Sequence, residues 1–361
     1  METTNPEVLR RVDTFLLNVT PKDKVCIIHD TDPDGVCSAV IIAKCVERLR
    51  NKKVDLRIPM DKTQYGITDK MLKQLKNKKI TKLITTDFSA EQNPERLEEL
   101  EKQMEILVID HHKLYNDYKS DRTVLYKPQF FTKIDPSTYC TAKLAFDAAD
   151  RLVKTEDLDW MAATACIADI ATAPWKDWLA EVFKKYKIKM KKDLFRTVIG
   201  QVAATIKSTE VYDLKLVPQC YDVFYAAKKP KDILKSKLGK YKIIIDKDLK
   251  KHLALFEKKA EKHKDMRIYE MTSKYRIHSA LSTILGLKYP DKTIIIINKT
   301  GAIISVSGRR GDKKKPVNTL LENAIKGFEG ANAGGHTPAA GAGFNKKYLN
   351  TFKQRLTQWK T

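Results

Sequence analysis

The stretch Ile106–His112, with the sequence ILVIDHH, decides the expected fold, because a short apolar, β-branched run ends abruptly in a carboxylate and two imidazoles. Such a run is typical of a buried parallel strand that delivers polar side chains to the edge of a sheet. Two other stretches end in the same way, namely Lys24–Gly35 (KVCIIHDTDPDG) and Lys82–Asp87 (KLITTD). The carboxyl ends of neighbouring parallel strands converge on one crevice. The sequence therefore predicts that these acidic and imidazole groups meet there.

The segments between these strands have the pattern of helices. Val36–Val46 is apolar on nearly every side, whereas Asp69–Lys78 and Pro94–Met104 are amphipathic. This alternation predicts an α/β fold with a parallel sheet covered by helices on both faces. So many carboxylates in one crevice either raise each other's pKa or bind cations. A metal site is the simplest interpretation.

Composition indicates a folded protein, because 42% of the 361 residues are hydrophobic and 31% are charged. No apolar run is long enough to span a bilayer, so we expect a cytoplasmic protein without a membrane partner. The six cysteines are scattered and lack a C-x-x-C pair. They are expected to be reduced and buried, which disfavours disulfides and structural zinc.

The net charge is +23, with 68 basic residues against 45 acidic ones. A polyanionic partner, either nucleic acid or a nucleotide, is its most direct interpretation. A lysine-rich surface that serves stability and solubility is the alternative. Phe183–Lys192 carries six lysines between aromatic and aliphatic residues. This segment is either a ridge that binds a nucleic acid strand or a solvated helix face, and the pattern favours neither.

The C-terminal third combines strand patterns with a glycine-rich stretch. Arg267–Met271 and Lys292–Ile297 are predicted strands, and Ala302–Ser307 is predicted to complete a hairpin with the second of them. Gly327–Gly343 is predicted to be a loop whose small residues let backbone N–H groups approach an anion. Together with Ser307–Arg310 it predicts half of a phosphate-binding cleft.

Taken in order, these motifs resemble the DHH/DHHA1 phosphoesterase superfamily, and within it the archaeal proteins similar to the RecJ exonuclease. The residues that carry the resemblance are Asp32–Gly35, Asp87, Asp110–His112, Asp169 and Gly334–His336. The resemblance implies a DHH catalytic domain at 1–192, a helical connector at 193–255 and a smaller α/β DHHA1 substrate-binding domain at 256–361. The active-site cleft is expected between the two domains. Ala333 and Thr337 depart from the usual glycine-rich signature, so the loop geometry is expected to differ.

The resemblance further implies two Mn²⁺ ions, with Mg²⁺ as the alternative. The expected ligands are Asp30, Asp32, Asp34, Asp87, His111 and Asp169. Asp34 and Asp87 would be shared between the ions. Side chains alternate along a strand, so Asp30 and not His29 shares a face with Asp32, and Asp30 is the preferred extra ligand.

The remaining site residues are assigned to catalysis and substrate binding. Asp110 would orient a histidine, and His112 would face a substrate phosphate. The residues expected to bind the substrate are Ser307, Arg309, Gly334, Gly335 and His336.

The leading hypothesis is a manganese-dependent exonuclease that releases mononucleotides from single-stranded DNA or RNA. The first alternative is a phosphodiesterase for short oligonucleotides or cyclic dinucleotides, such as c-di-AMP or pApA. The glycine-rich signature disfavours an inorganic pyrophosphatase. A non-enzymatic alternative is a metal-free scaffold of the replicative helicase. Association with replication proteins such as GINS is compatible with an active enzyme.

Overall fold

The computed structural model describes residues 3–60 and 66–359. The chain forms two compact units. The first unit comprises the residues up to Glu210 together with Leu214–Tyr241, and the second comprises Val211–Asp213 and the residues from Lys242 onward. Within the described residues, the helices are too short or too polar to cross a membrane. All six cysteines are buried free thiols, as predicted.

The first unit is built on a five-stranded parallel sheet with the strand order β2-β1-β3-β4-β5. Its strands are β1 Val25–His29, β2 Leu56–Pro59, β3 Lys82–Thr86, β4 Glu105–Ile109 and β5 Thr123–Tyr126. The helices that begin in the first unit are α1 Pro6–Leu17, α2 Pro33–Arg50, α3 Asp69–Asn77, α4 Pro94–Glu101, α5 Thr141–Asp150, α6 Asp159–Ala168, α7 Lys176–Lys185, α8 Val198–Tyr212, α9 Pro218–Ala226, α10 Pro230–Lys235 and α11 Lys237–Lys259. Of these, α8 and α11 continue into residues of the second unit.

Both faces of this sheet are buried, because alternate side chains of each strand enter two different cores. In β1, Val25 and Ile27 join the core formed with α1, α2, α5 and α6, whereas Cys26 and Ile28 join the core formed with α3 and α4. This is why the strands are apolar at nearly every position instead of alternating with polar residues. The predicted parallel sheet with helices on both faces is confirmed.

The second unit has a mixed six-stranded sheet with the order β10-β11-β9-β8-β7-β6. Its elements are β6 Glu261–His263, β7 Met266–Met271, α12 His278–Lys288, β8 Thr293–Asn298, β9 Ile303–Arg310, α13 Val317–Ile325, β10 Asn332–His336, β11 Ala339–Asn345 and α14 Leu349–Gln358. Only the β7–β8 pair is parallel among its described strands. The predicted second α/β domain is therefore confirmed.

One prediction in this unit is wrong, because the glycine-rich stretch is not a loop. Its second half forms the antiparallel hairpin β10–β11, in which Gly334 pairs with Gly341 and His336 pairs with Ala339. Glycine does not favour strands, so the sequence does not indicate a hairpin here. The strand is instead held by backbone hydrogen bonds between β11 and β9.

Candidate metal and phosphate site

The metal site is set by strand register. His29, Thr86, Ile109 and Tyr126 are paired in one row across β1, β3, β4 and β5. The next residue of each strand therefore emerges at the same edge of the sheet. Those four residues are Asp30, Asp87, Asp110 and Lys127. The amides of the three aspartates continue the ladder, each donating to a carbonyl of the next strand, with N–O distances of 3.0–3.2 Å.

Helix α2 begins directly after β1 and adds two more carboxylates to this edge. Asp32 is its N-cap, and its Oδ1 accepts from the amides of Asp34 at 2.9 Å and Gly35 at 3.0 Å. Gly35 is needed for close packing, because a Cβ there would lie 2.8 Å from Cα of Asp30. The turn thereby brings Asp30 and Asp32 beside Asp87, with one carboxylate oxygen of each within 4.8 Å of the others.

Asp34 is completely buried and is held by the first turn of α5. The amides of Thr141 and Ala142 donate to its two oxygens at 2.7 Å each, and the Thr141 hydroxyl donates to Asp87 at 3.0 Å. Burial, followed by the charge of Asp32, raises the pKa of Asp34 to about 6. These donors fix the carboxylate in place, but they do not fully offset its burial.

Asp87 has a left-handed backbone with φ of 69°, a conformation that is uncommon outside glycine, although asparagine and aspartate adopt it more readily than most residues. Burial raises its pKa well above the ordinary range, and the neighbouring carboxylates Asp34, Asp32 and Asp169 add to this shift. Strain and buried like charge are both unfavourable for the fold, and such features cluster at functional sites.

His111 lies at the centre of three carboxylates. Its Nε2 is 3.8 Å from Asp34, 3.8 Å from Asp87 and 3.7 Å from Asp169. Its Nδ1 lies 3.1 Å from the carbonyl oxygen of Pro136. A proton on Nδ1 that is donated to this carbonyl leaves Nε2 as the basic nitrogen, which is the arrangement of a metal-binding histidine.

The apolar residues around Asp169 predict that it lies within a helix, but it is instead the C-cap of α6. There its carboxylate reaches the site while α6 remains apolar. Burial, followed by the charges of Asp34 and Asp32, raises the pKa of Asp169 to about 8.

His112 is held by a buried chain of charges. Its Nδ1 lies 2.7 Å from Oδ1 of Asp110, whose other oxygen accepts from Lys127 Nζ at 2.7 Å. Lys127 also donates to Glu91 at 2.6 Å, and both members of that pair have fully buried side chains. Burial opposes ionisation of Asp110, but the His112 hydrogen bond and the Lys127 charge outweigh it and lower the pKa of Asp110. The bond to Asp110 in turn raises the pKa of His112.

Glu91 and Lys127 were not identified from the sequence. Lys127 follows β5, which has only four residues and was not predicted as a strand. Glu91 lies in a 3₁₀ turn. The only signal was a lysine directly after an apolar strand.

His29 does not join the carboxylates. It is buried and stacks on Tyr221, with ring centroids 5.7 Å apart, and its Nδ1 approaches the carbonyl oxygen of Asp30 at 2.5 Å. Burial lowers the pKa of His29 to about 3, so the ring is neutral. It thus contacts the backbone of Asp30 while the Asp30 side chain lies with Asp32 and Asp87.

These residues fit divalent cations. Three overlapping groups each place three donor atoms within 4.8 Å of one another, and they are Asp30–Asp32–Asp87, Asp34–His111–Asp169 and Asp87–His111–His112. Carboxylate and imidazole donors suit Mn²⁺, and carboxylates also suit Mg²⁺. The raised pKa values of Asp34 and Asp169 show that ionised carboxylates are unfavourable here, and a bound cation would stabilise them.

The carboxylates open into a pocket of about 770 Å³ within the first unit. Asp32, Asp87, His112 and Asp169 line one part of it. The pocket is of a size typical for small ligands, and its charged wall would face a bound molecule.

In the second unit, the substrate-binding candidates lie on the strands β9 and β10. Arg309 pairs with Ala339, which pairs with His336, so Arg309 and His336 share a face two strands apart. Ser307 and Gly334 occupy the next such row. The stem of Arg309 lies against α12, because a Cβ at Gly286 would be only 2.9 Å from its Cγ.

Gly335 is placed differently from the other candidates of this unit. It pairs in the row of Gly308, which belongs to the opposite face, and its φ is 139°. A Cβ at Gly335 would lie 2.7 Å from Cα of Ala340, so only glycine fits there.

Comparisons with known proteins identify both units. The family model of the DHH family, N-terminal domain, matches residues 24–174, and that of the DHHA1 domain matches residues 272–361. Together these matches span more than half of the chain. The chain belongs to the DHH/DHHA1 superfamily. No curated protein sequence matches this DHH/DHHA1 chain.

Solved structures share the fold at low identity. An exonuclease RecJ bound to manganese is 16% identical with a TM-score of 0.68, and the match covers 97% of this chain and 93% of that one. RecJ from Thermus thermophilus in complex with Mn²⁺ is 16% identical with a TM-score of 0.61, covering 97% of this chain and 54% of that one. CDC45 from Entamoeba histolytica is 10% identical with a TM-score of 0.57, covering 98% and 99%. The DHH/DHHA1 chain therefore has the fold of RecJ.

Proposed function

We propose that this chain is a divalent-metal-dependent phosphodiester hydrolase, and specifically a RecJ-like exonuclease that releases mononucleotides from single-stranded DNA or RNA. The observation that carries the proposal is the set of overlapping donor groups that share Asp87 and His111. Overlapping groups suit two neighbouring ions better than one, and two-ion sites are used for phosphodiester hydrolysis.

The proposed ligands of two Mn²⁺ ions are Asp30, Asp32, Asp34, Asp87, His111 and Asp169. When bound, the ions would supply Lewis acidity toward a phosphodiester and would acidify water. The protein's part is to hold the donors rigidly. Thr141 and Ala142 do this for Asp34, and Pro136 does it for His111.

His112 is proposed to bind the phosphate directly. Asp110 engages its Nδ1, which leaves Nε2 as the nitrogen available to the pocket that His112 lines. Because Asp110 raises its pKa, a larger fraction of His112 carries a proton near neutral pH. A protonated imidazole donates a charge-assisted hydrogen bond to a phosphate oxygen and stabilises negative charge there.

The DHHA1 unit is proposed to recognise the substrate. Arg309 would engage a phosphate with its planar guanidinium, and His336 would add a donor from the same face. The exposed glycine hairpin, including Gly334 and Gly335, would let the substrate approach the backbone. Ser307 is buried, and its hydroxyl lies 2.8 Å from that of Ser282 in α12, so it would act by holding this part of the unit in place.

Charge supports a polymeric substrate. The net charge is +23, and all six lysines of Phe183–Lys192 are exposed, whereas Phe183 itself is buried. Affinity for a nucleic acid strand rises with the number of phosphates that such lysines neutralise.

The second candidate is a phosphodiesterase for short oligonucleotides or cyclic dinucleotides. The size of the pocket, about 770 Å³, favours it, because this volume suits a small ligand. A metal-free scaffold has less support, since every proposed ligand is in place. An active enzyme could still associate with replication proteins such as GINS, which a pull-down with purified proteins would test.

The test is a time course with Mn²⁺ on single-stranded DNA and RNA labelled at either end, beside linear and cyclic dinucleotides. Progressive shortening that salt inhibits steeply supports the exonuclease, and the label gives its polarity. Hydrolysis of dinucleotides alone supports the second candidate. Hydrolysis of none of these substrates would contradict the proposed function.

A further inference from the structure

The pocket beside the carboxylates has a second wall whose chemistry differs from the first. This wall is formed by Phe195 in the 3₁₀ turn Leu194–Arg196 and by Ala203, Ala204 and Lys207 of α8. Their spacing of three and four residues places the α8 residues on one helix face. The two alanines end at Cβ, so they leave space in front of the helix. The alanines therefore form an apolar floor beside an exposed aromatic ring, and the ion pair of Lys207 with Glu210, at 2.9 Å, also lines the pocket.

The backbone of Phe195 is fixed from several sides. Its amide donates to Asp193 Oδ1 at 3.1 Å, and its carbonyl accepts from Gln201 Nε2 at 2.6 Å. Gly200 lets the turn lie directly on α8, because a Cβ there would be 2.5 Å from Cα of Phe195. Lys191 ties the same turn to the lysine-rich segment by donating to the carbonyl of Arg196 at 2.9 Å.

The ring itself remains available. Phe195 is 42% exposed, whereas its neighbour Leu194 packs against the core of the first unit. The exposed part of the Phe195 ring is not buried on folding, so it does not stabilise the fold. A flat apolar ligand in the pocket would bury this part of the ring.

We propose that Phe195 is a stacking subsite for the nucleobase of the nucleotide whose phosphate lies at the carboxylate edge. This inference rests on the proposed phosphodiesterase function and adds the part of the substrate that Phe195 contacts. A nucleotide joins an anionic phosphate to a flat aromatic base, and the pocket joins a charged wall to an aromatic one. Stacking tolerates every base, because each has a π-face, so the subsite suits a substrate of mixed sequence.

The test compares wild type, Phe195→Ala and Phe195→Trp on a dinucleotide and on analogues that lack either base, with Mn²⁺ present. Phe195→Ala is expected to raise KM about 5- to 150-fold with a small change in kcat, and Phe195→Trp to retain the wild-type KM. Removing the contacted base should raise the KM of wild type by the same factor. It should leave the KM of Phe195→Ala almost unchanged, because the two changes remove the same contact. Tyr115→Ala, which removes another exposed ring outside the pocket lining, is the control and should leave KM unchanged.

A binding measurement separates this inference from the proposed function. Wild type should bind a nucleoside 5′-monophosphate more tightly than ribose 5-phosphate, and Phe195→Ala should lose that preference. If hydrolysis is absent but the preference holds, the subsite stands and the proposed function fails. If removal of the base raises KM and weakens binding by the same factor in wild type and in Phe195→Ala, Phe195 is not the subsite.

Discussion

The carboxylates and histidines at the edge of the first sheet, with Lys127, form one cluster, and the hairpin β10–β11 of the second unit is rich in glycine. The two regions present opposite environments to a phosphate. Asp34, Asp110 and Lys127 of the cluster are buried, and each is held by donors or acceptors of the protein. Gly334 and His336 of the hairpin are exposed. A buried charge is costly unless it is compensated, whereas an exposed group keeps its water until a ligand arrives.

These two environments indicate where precise positioning of side chains is needed in this protein. The cluster fixes its groups before any ligand binds, which is what chemistry at one phosphorus atom requires. The hairpin is proposed only to hold a substrate group in position. Changes in the cluster should therefore have larger effects than changes in the hairpin.

The largest effect is expected from Asp87→Asn. Asp87 belongs to two of the three donor groups, so its loss should lower kcat at least about 1,000-fold, a barrier increase of about 4 kcal/mol. Hydrolysis of the preferred substrate at saturating Mn²⁺ measures this. Asp117→Asn, at an exposed aspartate outside the donor groups, should retain wild-type kcat. Retention of full activity by Asp87→Asn would show that the ligand assignment is wrong.

The next effect concerns stability. Lys127→Met leaves Glu91 and Asp110 facing each other without their buried cation, so the free energy of unfolding should fall by about 3–5 kcal/mol. Urea unfolding measures this difference. Lys119→Met removes a surface ion pair whose lysine is 84% exposed, and it should change stability by less than about 1 kcal/mol. Equal effects of the two substitutions would contradict the structural role of the buried chain.

Arg309→Lys should have a smaller effect, on substrate binding. Lysine keeps the positive charge but loses the planar fork, so KM should rise about 10-fold while kcat changes little. Lys313→Arg, the reverse exchange at a neighbouring solvent-exposed site, should leave KM unchanged. A fall in kcat without a change in KM would show that Arg309 acts in the chemical step and not in substrate binding.

The last effect is a pH dependence that is confined to the metal-free protein. The folded pKa values of Asp169, about 8, and Asp34, about 6, exceed that of an unfolded aspartate, so the folded state binds more protons. This contribution is complete below about pH 4 and is lost as the pH rises through these values. The Tm in chelator should therefore fall toward about pH 8, and Mn²⁺ should restore it most at the high end.

Thermal unfolding in chelator and in Mn²⁺ checks this prediction. Asp169→Asn should remove much of the pH dependence in chelator, because its amide does not titrate. A Tm that rises toward about pH 8 by the same amount in wild type and in Asp169→Asn would contradict it.

The sequence predicted most of the fold because the unit-one strands are buried on both faces and therefore appear as short apolar runs. It also predicted that Asp30, Asp87 and Asp110 share one edge, since each directly follows such a run. It did not predict Lys127 or Glu91, because a buried ion pair depends on tertiary contacts between distant segments. Phe195 was missed for a related reason. An isolated phenylalanine indicates core packing, and only the anchored turn shows that its ring is exposed.

The most direct test of the central claim is to count the Mn²⁺ ions that bind per chain, by equilibrium dialysis of wild type, Asp87→Asn and Asp117→Asn. Wild type and Asp117→Asn are expected to bind two ions. Asp87→Asn is expected to bind both more weakly, because Asp87 is proposed to be shared. Absence of bound Mn²⁺ in wild type, or unchanged binding in Asp87→Asn, would contradict the claim that this cluster is the metal site.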